Sequence, residues 1–299
     1  MDSSRLKSYL EEKRAQVDQT LDRLLPKPEE EPRVIHESMR YSVFAGGKRL
    51  RPILAISAYE VVGHQDDLIL SPACGLELIH TYSLIHDDLP CMDDDDLRRG
   101  QPTNHKVFGE GIAVLAGDAL LPLAFECFLG RGMNGHLPLT ALGQVARRVA
   151  YAIGTLGLVG GQVMDITQAS NDRQLSTLET TCRMKTGSLI QVSLECGAIL
   201  AEADPKTAQA LSEYGEALGL AFQITDDVLN VVGDSQKMGK AIKTDASHHK
   251  VTFPELLGLE AARAHARKYA SQAKEAIGGM GDSAWVLRQL ADYVVERQS

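Results

Sequence analysis

The sequence predicts an all-α fold, and three observations carry that prediction. Apolar residues recur at intervals of three and four almost throughout the 299 residues. No alternating apolar–polar run is long enough for a useful strand, and no Asn-Gly turn joins two such runs. Several of the periodic stretches are apolar nearly all round, so each needs neighbours on every side. The expected architecture is one domain over residues 1–299, an antiparallel helical bundle around a deep central cavity. Between helices is a common place for a ligand site.

The elements follow in order. Leu10, Val17, Leu21 and Leu24 give the first amphipathic stripe, and a polar, proline-bounded linker runs from Pro26 to Pro32. A second helix covers about Val34 to Phe44 and stops at Gly46-Gly47. Pro52 suits the first turn of a third helix ending near Gly63. Ser71-Pro72, a cap followed by proline, opens a helix that reaches Leu89. Further helices are expected over about 110–130, 139–158, 175–202, 206–232, 254–278 and 283–297.

Composition narrows the function classes. The 31 Lys+Arg against 40 Asp+Glu leave a net charge of −9, the wrong balance for a general nucleic-acid binder. Nothing approaches 18 consecutive apolar residues. The most apolar stretch, Gly111 to Gly130, is interrupted by Asp118, Pro122 and Glu126, so no membrane span is expected. The N-terminal MDSSRLKSYLEEKR lacks the apolar core of a signal peptide. Cys74, Cys91, Cys127, Cys182 and Cys196 are odd in number and lack a C-x-x-C pair. Neither a disulfide framework nor a zinc site is expected, and a cytoplasmic location fits.

Two acidic clusters carry the chemistry. Asp87-Asp88 and Asp93-Asp94-Asp95-Asp96 flank the apolar Leu89-Pro90-Cys91-Met92. Six residues of regular helix turn through about 240°, so Asp87 and Asp93 share a ligand only if the helix breaks. Pro90 supplies the break. In the second cluster Gln223, Asp226, Asp227 and Asn230 line one helical face among Leu218, Leu220, Phe222, Ile224 and Val228. Carboxylates embedded in a core helix are costly without a counter-charge. With no His/Cys ligand set, the natural partner is phosphate-bound magnesium, which takes one or two protein carboxylates and completes its shell with water and phosphate.

Cationic groups complement these acids. Lys48 and Arg51 stand three apart at a helix start, Arg98-Arg99-Gly100 follows the four acids, and Lys185-Thr186-Gly187 interrupts a long apolar helix. Lys240 and Lys250 lie in the polar stretch after the second cluster, and His80 shares a helix face with Leu84 and Asp87. Singly each is ordinary. Together they suit a diphosphate leaving group, held by arginine forks, lysine point charges and metal ions.

The motifs GGKRLRP (46–52), LIHDDLPCMDDDDLRRGQPTNHKVFGE (84–110), AGDALL (116–121), GGQVMD (160–165), KTG (185–187) and FQITDDVLN (222–230) resemble the trans-isoprenyl diphosphate synthases. The resemblance is close and nearly full length. It implies the helical-bundle fold of isoprenoid synthases, usually homodimeric, with about two or three magnesium ions per site. It assigns magnesium to Asp87, Asp93 and Asp226, with Asp88 and Asp227 contributing. Arg98, Lys185, Thr186, Gln223 and Lys240 would contact the allylic diphosphate, and Lys48, Arg51, His80 and Arg99 would hold isopentenyl diphosphate. Lys250 is retained from the family's downstream motif and is expected to contact substrate. Lys185, Thr186 and Gln223 are the catalytic candidates, Thr186 and Gln223 by stabilising the allylic cation. Two departures stand out: Asn230 replaces a commonly found third Asp, and His248-His249 precedes Lys250.

Tyr82 and Ser83, five and four residues before Asp87, lie where a bulky side chain would floor the tail cavity. This pair resembles bacterial farnesyl diphosphate synthases, so the reading favours a C15 product, with C20 as the alternative. The rivals are a non-catalytic subunit of a heteromeric synthase, a metal-dependent phosphohydrolase using His86-Asp87, and a terpene cyclase.

Overall fold

The computed structural model describes residues 3–133, 135–168, 173–232 and 251–297. Helix α1 (Ser3–Leu24) buries Leu6, Val17, Leu21 and Leu24, while Leu10 is half-buried. Helix α2 (Arg33–Val43) follows, and α3 (Leu50–Val62) buries every residue from Pro52 to Tyr59. That all-round burial is what its uniformly apolar sequence requires. Helix α4 (Leu70–Asp87) is enclosed in the same way until its last two turns, where half-buried polar residues appear.

The start of α4 differs from expectation. Asp66, not Ser71, provides the cap: its carboxylate accepts the Leu68 N–H at 3.0 Å, and a 3-10 turn (Asp67–Ile69) leads into the helix. Ser71 instead donates its hydroxyl proton to the Arg131 carbonyl. After α4 comes a small ladder, β1 (Leu97–Arg98) with β2 (Gln101–Pro102), antiparallel. Its two-residue loop is Arg99-Gly100, with φ of 54° and 79°. Positive φ at both central positions is the hairpin requirement that Asn-Gly usually meets.

Helices α5 (Asn104–Phe108), α6 (Glu110–Phe128) and α7 (Leu139–Ile153) follow. The expected helix over 139–158 ends earlier, at Ile153 with Gly154 as its C-cap, and α8 (Leu158–Gln168) is a further helix, not among those expected from the sequence. The expected helix over 175–202 is composite. Helix α9 (Leu175–Cys182) passes through a π-helical turn at Arg183–Gly187 into α10 (Ser188–Leu200). Such wide turns occur mostly as single insertions at functional sites. Helix α11 (Pro205–Val232) is the longest described, and among the described residues the α-helices after it are Phe253–Leu257, Leu259–Ala276 and Trp285–Glu296.

The helices form an antiparallel bundle with α10 packed against α3, α7 and α11. Its core joins Leu189, Val192 and Cys196 of α10 to α4 and α6 on one side. Ile190 and Leu194 meet Leu211, Tyr214 and Leu218 of α11 on the other. Hydropathy over a window, rather than a count of consecutive apolar residues, makes three stretches long and apolar enough to cross a membrane: 67–87, 110–128 and 139–167. Within this fold 72% of the first window is buried in the protein, which accounts for its composition. All five cysteines are free thiols, four buried and Cys91 exposed.

Candidate active site

One end of the bundle opens into a cavity of about 1240 Å³, walled by α1, α3, α4, α8, α11 and Trp285–Glu296. The first acidic bank forms where α4 ends at Asp87. The chain turns through Pro90, and the Asp93 N–H returns to the Asp87 carbonyl at 2.9 Å. The expected break therefore brings Asp87 and Asp93 to the same wall, and both line the cavity. Asp88 does not. It is 3% exposed and accepts from Arg98, whose Nε lies 3.0 Å from its Oδ1. Burial raises the Asp88 pKa despite this partner. Arg98 lines the cavity, yet its Nη2 is shared between Asp88 and Asp95, the latter at 2.9 Å.

The second bank projects from the unbroken α11. Gln223, Asp226, Asp227 and Asn230 all line the cavity, as the helical spacing requires. Asp227 is 7% exposed and is anchored from two sides: Gln223 Nε2 donates to it at 2.9 Å and the Phe253 backbone N–H at 3.1 Å. Asp226 is the open member. Arg297 donates to it at 2.6 Å while its guanidinium stacks 4.1 Å from the Phe222 ring centre. Among the described residues no three His, Cys, Asp or Glu side chains converge closely enough to hold a metal by themselves.

The basic side rests on a buried structural arginine. Arg49 adopts φ 52° at the start of α3, and its guanidinium reaches Glu77 (2.8 Å), Asp18 (2.7 Å) and the Val43 carbonyl (2.7 Å). This network fixes the loop that carries Lys48 and Arg51 into the cavity. Arg99 arrives from the hairpin and donates to the Gly46 carbonyl. Gly47 is required there twice: its φ is 128°, and a Cβ would come within 2.7 Å of the Arg99 guanidinium. Arg51 Nε is buried with no hydrogen-bond partner, and burial, opposed by Glu77, brings its pKa down to about 10. His80 lines the same wall. Burial first, then the Arg51 and Arg99 charges, depress its pKa well below 6.5, so the imidazole is neutral at pH 7.

The third wall is the π-helical turn. Lys185 Nζ donates to Asp165 of α8 at 2.6 Å, and Thr186 Oγ1 donates to Gln223 Oε1 at 2.8 Å. Helix α8 approaches this turn so closely that a Cβ on Gly161 would lie 2.2 Å from the Lys185 backbone nitrogen. Ser83 lines the cavity, whereas Tyr82 does not: its ring packs into the core edge-on to His86, centroids 5.6 Å apart. Lys240, Lys250, His248 and His249 lie outside the described residues.

Sequence reasoning missed Arg49, Glu77, Gln162, Asp165 and Arg297. Gln162 and Asp165 stood inside the recognised GGQVMD, which was a usable signal. Arg297 had none.

Residues 32–289 match the polyprenyl synthetase family. The chain is 44% identical to the heterodimeric geranylgeranyl pyrophosphate synthase large subunit 1 of Arabidopsis thaliana, covering 98% of this chain and 79% of that one. It is 42% identical to the geranylgeranyl diphosphate synthase of Cyanophora paradoxa, covering 98% and 97%. Among solved structures, an FPP/GFPP synthase from Zymomonas mobilis superposes with a TM-score of 0.86 at 37% identity, covering 98% and 99%. The extent of these matches, over a cavity carrying both acidic banks, establishes that the chain belongs to the polyprenyl synthetase family.

Proposed function

We propose that this protein elongates an allylic diphosphate with isopentenyl diphosphate to a C20 product. The coarser class, a short-chain trans-prenyltransferase, follows from family membership. The observation that carries the proposed chemistry is that Asp87, Asp93 and Asp226 open onto the same cavity as Lys48, Arg51, Arg99 and Lys185. Cations suited to an anion and carboxylates suited to a metal in one cavity suit an ionising diphosphate. Support for C20 over C15 is twofold. The two relatives at 42% and 44% identity carry geranylgeranyl names. The C15 expectation rested on the Tyr82-Ser83 pair, with a bulky residue flooring the tail cavity; of the two only Ser83 lines this cavity, and the Tyr82 ring packs against the core. The Zymomonas structure, named for FPP and GFPP, keeps C15 as the second reading.

The carboxylates fit magnesium: they are hard oxygen donors, and too few converge to complete a shell without water and phosphate. Asp87, Asp93 and Asp226 would hold the ions, and bound magnesium would supply Lewis-acid stabilisation of the leaving diphosphate. The chain's own groups do the rest. Lys185, oriented by Asp165, and the Arg51–Arg99 pair bind diphosphate oxygens. Neutral His80 offers a hydrogen bond without adding charge. The surrounding helices keep water from the carbocation.

A second chain also fits this reading. Leu115 of α6 and Val159, Val163 and Ile166 of α8 are apolar side chains 41–56% exposed, which we propose a second copy covers. One relative is named as a heterodimer subunit, so sedimentation of the purified chain tests the choice.

The deciding experiment incubates the protein with magnesium, isopentenyl diphosphate and dimethylallyl, geranyl or farnesyl diphosphate, and measures chain length. A C20 terminal product is expected, with little change for Tyr82→Ala. Termination at C15, with longer products from Tyr82→Ala, overturns C20. Free phosphate, cyclic hydrocarbon or silence without a partner chain would instead favour the hydrolase, cyclase or subunit.

A further inference from the structure

Gln162 is the amide that neither the fold nor the acidic banks employ. It is 9% exposed, it lines the cavity, and neither its Nε2 nor its Oε1 has a hydrogen-bond partner. Buried carboxamides are normally satisfied, so one with both ends open and facing a cavity is placed for a ligand.

Its position says which part of the ligand. On α8, Leu158, Gln162 and Asp165 line the cavity as one stripe. Asp165 marks the ionic end through its bond to Lys185. Leu158, on the same stripe, marks an apolar level. At about 1.5 Å of rise per residue, Gln162 lies roughly 4.5 Å along the helix from Asp165 and 6 Å from Leu158. It stands at the junction between the diphosphate and hydrocarbon levels, where the allylic C1 of a prenyl diphosphate belongs. Its backbone is held in register with the π-helical turn by the close approach at Gly161.

Comparison with Gln223 sharpens the point. The Gln223 oxygen already accepts from Thr186, and its nitrogen donates to Asp227. That amide is spent on positioning, whereas the Gln162 amide keeps its full dipole for the ligand.

We propose that Gln162 contacts the allylic carbons and stabilises the positive charge that develops on them, an assignment that rests on the prenyl-transfer reading. The C1–O bond breaks with both electrons leaving on diphosphate. The isopentenyl π pair then forms the new C–C bond, and the proton lost to restore the alkene passes to the released diphosphate. Gln162 forms no bond in this sequence. A carboxylate at the same place would be captured by the cation as an ester or would draw the metal away; a neutral amide oxygen offers partial negative charge without either outcome.

The test uses the full chain with Gln162→Leu and Gln162→Asn. Single-turnover rates are measured with geranyl diphosphate, isopentenyl diphosphate and magnesium, beside the affinity for the non-ionising thiolo-diphosphate analogue and the melting temperature. Gln162→Leu is expected to slow the chemical step roughly 10- to 100-fold. Analogue affinity and melting temperature should stay close to those of the unsubstituted protein, with Gln162→Asn between the two. A 2-fluoro substrate, whose cation is less stable, should widen the gap. A rate within twofold overturns the assignment, and so does an equal loss of analogue affinity, which would make Gln162 a ground-state contact. A rate loss that follows a lowered melting temperature, with Gln162→Asn no better than Gln162→Leu, assigns it to packing and overturns the proposal too. Failure of the unsubstituted protein to elongate any primer overturns the parent reading instead, a result that differs from any selective effect of the variants.

Discussion

The two acidic banks reach the same cavity by different routes. The first is built on the end of a helix, where Pro90 breaks α4 and a backbone bond folds Asp93 over Asp87. The second is built on an intact helix, where spacing alone suffices. Both nevertheless divide their paired aspartates in one way. The leading residue, Asp87 or Asp226, is the open one, and the trailing one, Asp88 or Asp227, is a buried anchor, although Asp227 still borders the cavity. The anchors differ in chemistry. Asp88 accepts from the charged Arg98, and among the contacts of Asp227 are the Gln223 amide and the Phe253 backbone N–H. Adjacent identical residues thus have separate roles, set by whatever faces each side chain.

The largest effects should come from the open members. Asp87→Asn and Asp226→Asn are each expected to lower kcat/KM by about 10³-fold, or about 4 kcal/mol of transition-state stabilisation, with helicity retained. Steady-state kinetics and circular dichroism check this. Retained turnover in either variant would break the symmetry between the banks.

The anchors come next, read in stability rather than rate. Asp88→Asn removes the main counter-charge of a largely buried guanidinium and should cost about 3 kcal/mol in urea denaturation. Asp227→Asn loses its charge-assisted hydrogen bonds from the Gln223 amide and the Phe253 backbone N–H and should cost about 1.5 kcal/mol on that account. Equal losses, or a loss of activity in Asp88→Asn with no loss of stability, would mean that the trailing aspartates are ligands after all.

How much of this was legible beforehand depends on the range of the interaction. The carboxylates on α11 were readable because i, i+3, i+4, i+7 spacing is local, and the break at Pro90 because proline acts on its own helix. The early end of α7 was not readable, because its apolar period runs on to Leu158 while the extended backbone at Gly154 stops the helix, and α8 beyond it went unread. The π-helical turn at Arg183–Gly187 leaves the apolar period on either side intact. The direction of Tyr82 and the burial of Asp88 depend on tertiary packing, including the hairpin that folds Arg98 back onto Asp88 from ten residues on. Arg297 meets Asp226 across 71 residues, a contact that no local pattern encodes.

The acidic and basic walls also differ in how far the protein satisfies them. Asp88, Asp165 and Asp226 each have a cationic partner, whereas Arg51 Nε has none and Arg99 spends its bond on a carbonyl. The Arg51–Arg99 part of the basic wall is thus the place suited to an anion, and His80 reports on it. Because folded His80 binds its proton less tightly than the ordinary value of 6.5, the unfolded chain takes up a proton below pH 6.5 that the native chain refuses. Stability is therefore full above pH 6.5 and falls with pH toward the depressed folded pKa, by up to about 1.4 kcal/mol per pH unit from this group. His80→Gln should remove that part of the slope in denaturant titrations between pH 7.5 and 5.5. Inorganic diphosphate bound on the arginines should flatten it in the unsubstituted protein, because a nearby anion favours the protonated ring. A slope unchanged by either the substitution or diphosphate would mean that the arginines are already neutralised, and that this wall is no more in need of an anion than the acidic one.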